Sequence, residues 1–210
     1  MRMTLFAVSL VLVAAGARGG WDCENSAARR VSAPLTGVSH IKVVGRAGTL
    51  RVTGRPGVRE VVATGKACSS EKTFLNEIQL RAEQSGSELR IEAVIPERNS
   101  LFGWGGAKLD FEVIVPDSIA IDVHDGSGDL EIENIGTLRV VDGSGELTIR
   151  GVNGNLDVHD GSGELTIAGV HGSGSIEAND IHGDFTVRED GSGGIDYERV
   201  GGKVTIPRKE

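Results

Sequence analysis

The chain repeats itself. The phrase Val-His-Asp-Gly-Ser-Gly-(Asp/Glu)-Leu-x-Ile occupies 123–132 and 158–167, and a close variant fills 140–149. Two more degenerate copies, with the same apolar positions, run over 178–187 and 197–206. Copies therefore start at 123, 140, 158, 178 and 197, which are 17, 18, 20 and 19 residues apart. A unit this short cannot bury an apolar face alone, so its copies must stack on one another. That single requirement excludes most folds.

Each copy carries two short alternating segments, the period-2 pattern of half-buried strands. The first supplies Ile121/Val123, Leu138/Val140, Leu156/Val158, Ile176/Ala178 and Ile195/Tyr197. The second supplies Leu130/Ile132, Leu147/Ile149, Leu165/Ile167, Phe185/Val187 and Val204/Ile206. Stacked at about 4.8 Å, each set becomes one continuous internal row. The expected fold is all-β: a β-solenoid, either a right-handed parallel β-helix or a β-roll, with coils of 17–20 residues.

A glycine follows the first segment in every copy, at Gly128, Gly145, Gly163, Gly183 and Gly202. This predicts positive φ at each of the five corners. Ile41-x-Val43 followed by Gly48-x-Leu50-x-Val52 has the same offsets, so the coils are expected to begin near His40. Between the two parts, Ser70 to Asn76 reads as a short helical turn. Ile78/Leu80/Ala82 and Leu89/Ile91/Ala93 read as strands around Ser85-Gly86-Ser87, and Leu109 to Val115 as a strand stopped by Pro116. Residues 53–116 are expected to continue the coils, with 96–107 looping outward.

Residues 1–19 read as a secretory signal peptide, with Arg2, an apolar run from Leu5 to Ala17 and small residues after it. That run is too short to span a bilayer as a helix, so no membrane insertion is expected after cleavage. The remaining organisation is an N-terminal β region over 20–116 and regular repeats over 117–210. In an oxidising compartment the two cysteines, Cys23 and Cys68, pair as one disulfide. With 22 Lys and Arg against 30 Asp and Glu, a basic face able to hold nucleic acid is not expected.

The chain resembles the bacterial putative-adhesin family of exported β-strand-repeat proteins, a domain family without assigned biochemical function. The resemblance is carried by the leader, the opening Ile-x-Val…Gly-x-Leu-x-Val unit, the strand Leu109–Pro116 and the recurrent Ser-Gly-(Asp/Glu)-Leu-x-Ile phrase. It implies a right-handed β-helix-like solenoid and interaction at the surface or in the periplasm. It supplies no catalytic residues.

The stacked copies also align acidic residues. Asp125, Asp142, Asp160 and Asp180 form one row, continued by Arg199; Asp129, Glu146, Glu164 and Asp184 form a second, continued by Lys203. Calcium-binding β-rolls recur every nine residues, unlike the 17–20 here, so both rows are read as solvated outer edges. Asp125, Asp142 and Asp160 remain only secondary metal candidates. His124 and His159 lie two coils apart, about 10 Å, too far to share one metal. None of the repeated serines sits in a nucleophile elbow, and tight corners with few aromatics leave no sugar platform.

The sequence thus points to an exported, non-catalytic module without cofactors, acting as an adhesin or envelope structural protein in the periplasm, at the cell surface or secreted. Its expected partner is an envelope or surface macromolecule, with Phe102 and Trp104 as candidate contacts. The alternatives are a calcium-binding repeat protein and a carbohydrate-active β-helix enzyme.

Overall fold

The structure, a computed structural model, describes residues 4–5, 23–96, 106–171, 175–190 and 194–206. Its strands are β1 (Thr4–Leu5), β2 (Asn25–Pro34), β3 (His40–Val44), β4 (Leu50–Arg55), β5 (Glu60–Ser69), β6 (Gln79–Ser85), β7 (Glu88–Val94), β8 (Ala107–Pro116) and β9 (Ala120–His124). They continue with β10 (Leu130–Ile135), β11 (Leu138–Asp142), β12 (Leu147–Val152), β13 (Leu156–Asp160), β14 (Leu165–Val170), β15 (Ser175–Asn179), β16 (Phe185–Asp190), β17 (Gly194–Glu198) and β18 (Val204–Thr205). One helical turn, α1 (Lys72–Leu75), lies between β5 and β6.

The protein is all-β. One open sheet runs β1-β6-β7-β3-β9-β11-β13-β15-β17 and the other β18-β16-β14-β12-β10-β4-β8-β5-β2. Neither closes on itself. From β9 onward the chain alternates between the sheets, each strand pairing in parallel with its counterpart one rung back. The registers Leu138↔Ile121, Leu156↔Leu138, Leu130↔Leu147 and Leu147↔Leu165 place the repeat copies directly above one another.

The alternating pattern explains the interior. Ile41, Ile121, Leu138, Leu156 and Ile176 form one inner row, and Leu50, Leu130, Leu147, Leu165 and Phe185 face it from the other sheet; all are buried. Burying each such side chain fully contributes about 1.5–3 kcal/mol relative to leaving it exposed, so stacking repays the order it imposes. A parallel sheet ordinarily needs cover on both faces. Here the intervening polar residues keep the outer faces hydrated.

Stacking order departs from chain order. β3/β4 sit against β9/β10, as the offsets predict, yet β7/β8 add a parallel rung on the other side of β3/β4. The rest of residues 53–116 does not continue the coils: β5 and β6 run antiparallel to β8 and β7, and β2 adds antiparallel to β5. These antiparallel strands terminate the parallel pairing at this end and so cover a sheet edge that would otherwise be a template for aggregation. Arg29 of β2 is buried there, with Nε donating to Ile78 O at 2.6 Å and Nη2 to Leu75 O at 2.7 Å, which satisfies the carbonyl of the last residue of α1 and one just beyond it. At the opposite end β17 and β18 are the outermost described strands of the two sheets, and Tyr197 is exposed.

The Cys23–Cys68 disulfide is formed, with Cα atoms 5.6 Å apart, and ties the start of β2 to the end of β5. The glycine corners need a correction. Gly128, Gly145 and Gly163 have φ between +120° and +139°, but Gly183 and Gly202 do not have positive φ. What all five share is close approach: a Cβ at any of them would overlap the carbonyl of the equivalent glycine one rung below. The column requires glycine because of its neighbour, with or without a left-handed backbone.

Candidate functional site

The corner after each first strand carries the most unusual chemistry. Register pairs Val44 with His124, His124 with Val141 and Asp142 with Asp160, so Gly45, Asp125, Asp142 and Asp160 follow one another up a single column. A Cβ built at Gly45 would overlap Asp125 Oδ1 and lie 3.2 Å from Leu50 Cδ2. Leu50 belongs to the core, so the Asp125 carboxylate leans inward into the space the glycine leaves.

This reverses the expectation of a solvated row. Asp125, Asp142 and Asp160 are 8%, 3% and 0% exposed, and none of their six carboxylate oxygens accepts a well-formed hydrogen bond from the protein. The physical reason is that the strand alternation runs on to the corner: Asp125 follows the outward His124 and keeps the inward phase of Ile121 and Val123, as Asp142 and Asp160 do at the ends of β11 and β13. Burial pushes the Asp125 carboxyl up to about 7, helped by the Asp142 charge, and pushes Asp142 up to about 6, helped by Asp160. Burial also raises Asp160, while the Ser162 N–H and the nearby His182 act against it.

The fourth member does not join the column. Asp180 has φ +60° and its exposed carboxylate is gripped by Arg199, whose Nε and Nη2 both donate to it, the latter at 2.9 Å. That hydrogen bonding, and the guanidinium charge behind it, hold Asp180 below its ordinary value. The second acidic row behaves as expected, with Asp129, Glu146, Glu164 and Asp184 exposed. Among the described residues, no three His, Cys, Asp or Glu groups converge on one point as a ready-made metal centre.

The outer faces are ordered by the same registers. On one sheet Lys42, Asp122, Arg139 and Asp157 form a row of alternating charge, with His40–Asp122 at 3.3 Å and Arg139–Asp157 at 3.4 Å. His124 and His159 flank Val141 in the adjacent row, and partial burial together with Lys42 lowers the His124 imidazole. On the other sheet Glu131 joins Arg51 to Arg150, each at 2.8 Å, and Thr148, Thr166, Thr186 and Thr205 stack in line. Phe102 and Trp104, the candidate partner contacts, lie outside the described residues, as do residues 6–19 of the expected leader. No described helix is long and apolar enough to cross a membrane.

Sequence reasoning placed the three aspartates in one column but on the wrong side of the wall. Two signals were available: the aspartate stands two positions beyond the inward valine, and the first coil has glycine at that position.

No protein-family model and no curated protein matches the chain in sequence. Its fold is similar to that of a putative cell adhesion protein from Clostridium sporogenes, with a TM-score of 0.53 at 12% identity over 86% of this chain and 99% of that one. A putative adhesin from Bacteroides fragilis aligns over 85% of this chain and 95% of its own at 14% identity, with a TM-score of 0.37. One from Parabacteroides merdae aligns over 86% and 96% at 10% identity, with a TM-score of 0.26. The first likeness shows a shared all-β, parallel-stacked fold; function does not follow from it.

Proposed function

We propose that the chain is an exported β-solenoid acting as a non-catalytic, adhesin-like interaction or structural module of the cell envelope. The observation that carries this reading is the in-register outer face, where Lys42, Asp122, Arg139 and Asp157 recur at the rung spacing to make a long row suited to a repetitive macromolecular surface. Two further points support it. The disulfide suits an oxidising compartment reached through the leader at 1–19, and the fold is shared with a protein described as a putative cell adhesion protein.

The test is to couple the purified chain to beads and measure retention of intact cells and of isolated envelope polysaccharide. Replacing Arg139, Asp157 and His159 together by Ser should reduce retention at least tenfold. The Arg150→Ser, Arg188→Ser pair on the opposite sheet should leave it nearly unchanged. Absence of saturable retention, or equal retention by all three proteins, would refute the assignment.

A further inference from the structure

The inward column of Asp125, Asp142 and Asp160 is chemically incomplete. Three carboxylates stand in the interior beside Leu50 with six oxygens lacking well-formed hydrogen bonds. Buried polar groups in folded proteins are nearly always matched, and buried charges are paired or coordinate metals. Among the described residues no Lys or Arg pairs with these carboxylates: Arg139 turns outward to Asp157, and Arg199, which continues the row, is engaged by Asp180 and Glu198.

Geometry selects the missing ligand. Carboxylates repeated at the rung spacing of about 4.8 Å leave a midpoint about 2.4 Å from equivalent oxygens of two neighbours. That distance falls in the Ca²⁺–oxygen range of about 2.3–2.6 Å and exceeds the roughly 2.1 Å that Mg²⁺ demands. The column is also bounded at both ends, by Gly45 without a side chain and by Asp180 turned outward. Each aspartate is followed by a glycine, Gly126, Gly143 or Gly161; the first two are solvent-exposed and the third is partly so. No side chain at these positions bars a cation or its remaining waters.

We propose that this column is a calcium-binding site, with one divalent cation seated between successive carboxylates and Asp142 as the shared ligand. Because no three side chains converge on one point, two carboxylates supply the charge, and backbone carbonyls of the corner or water complete the shell. One Ca²⁺ neutralises two carboxylates.

The experiment uses the purified chain stripped with EDTA at pH 7.5. Calcium should give a saturable rise in Tm of roughly 5 °C at about 100 times Kd, with magnesium giving far less. Asp142→Asn should abolish the rise, whereas Asp129→Asn on the exposed row should keep it. Titration calorimetry of the unmodified chain should show one saturable calcium site, a readout independent of how the variants fold. No saturable calcium response, an equal response to magnesium, or a response unchanged in Asp142→Asn would overturn the proposal. Retention of cells by the beads does not enter this result, so the site and the adhesive role stand or fall separately.

Discussion

Gly163 has φ +136°, and a Cβ there would overlap the Gly145 carbonyl beneath it, so backbone conformation and space both exclude a side chain. Gly163→Val should therefore cost at least about 2 kcal/mol. The outward Thr166→Val, two residues into the next strand, should stay within about 0.5 kcal/mol, and urea unfolding of both separates the two. The aspartate column makes a different prediction. In calcium-free protein, folded carboxyls with raised values bind more protons than the unfolded chain, so their contribution is fully present below about pH 4 and is lost as pH rises through about 6 for Asp142 and about 7 for Asp125. Groups around the column modulate this: Leu50 and the coil interior desolvate it, the Gly126, Gly143 and Ser162 N–H groups oppose the rise, and His182 opposes it at Asp160. Without calcium, Tm should thus increase from pH 8 to pH 5. Asp142→Asn should raise Tm at pH 8 by removing a charge whose burial costs on the order of 3 kcal/mol. A Tm that falls on acidification over this range would show that the column is ionised and paired.

At the scale of strands, the rung formed by β15 and β16 exchanges volume between sheets. Ala178 stands where the two preceding rungs have Val140 and Val158, and Phe185 stands where they have Leu147 and Leu165, all buried. Phe185→Leu alone should leave a void and cost about 1–2 kcal/mol, and adding Ala178→Val should restore part of it; a thermodynamic cycle measures the coupling. If the two changes simply add, the sheets do not share this space. At the other end, the disulfide fastens β2 to β5, and β5 pairs with β8. Changing both cysteines to Ser should cost about 2–4 kcal/mol, and thiol labelling of the denatured, unreduced wild-type chain should find neither cysteine free.

Across the whole molecule, stability should be graded, because each rung touches only its neighbours. The N-terminal end has antiparallel strands and a disulfide beyond its last parallel rung, while the last strand of the described residues is the short β18 and Tyr197, whose ring lies 5.8 Å from Phe185, is exposed. Amide exchange should therefore be fastest in β17 and β18 and slowest in β9 to β13; uniform protection would mean that the stack unfolds as a single cooperative unit. The sequence by itself determined the rungs: alternation named the inward residues from Ile121 to Val187, the offsets from Ile41 and Gly48 located a matching rung 80 residues earlier, and the glycine corners set the register. These are legible because a strand's two faces and a repeat's period are local properties. Only the tertiary structure decided that β7 and β8 stack on the far side of β3 and β4, and that β2, β5 and β6 run antiparallel there, because pairing between distant strands depends on which edges the rest of the chain leaves open. It also decided that Asp125, Asp142 and Asp160 face inward: alternation puts them in the inward phase, but a carboxylate beside glycines favours solvent, and only the stacked coils show that the corner begins after the aspartate rather than before it.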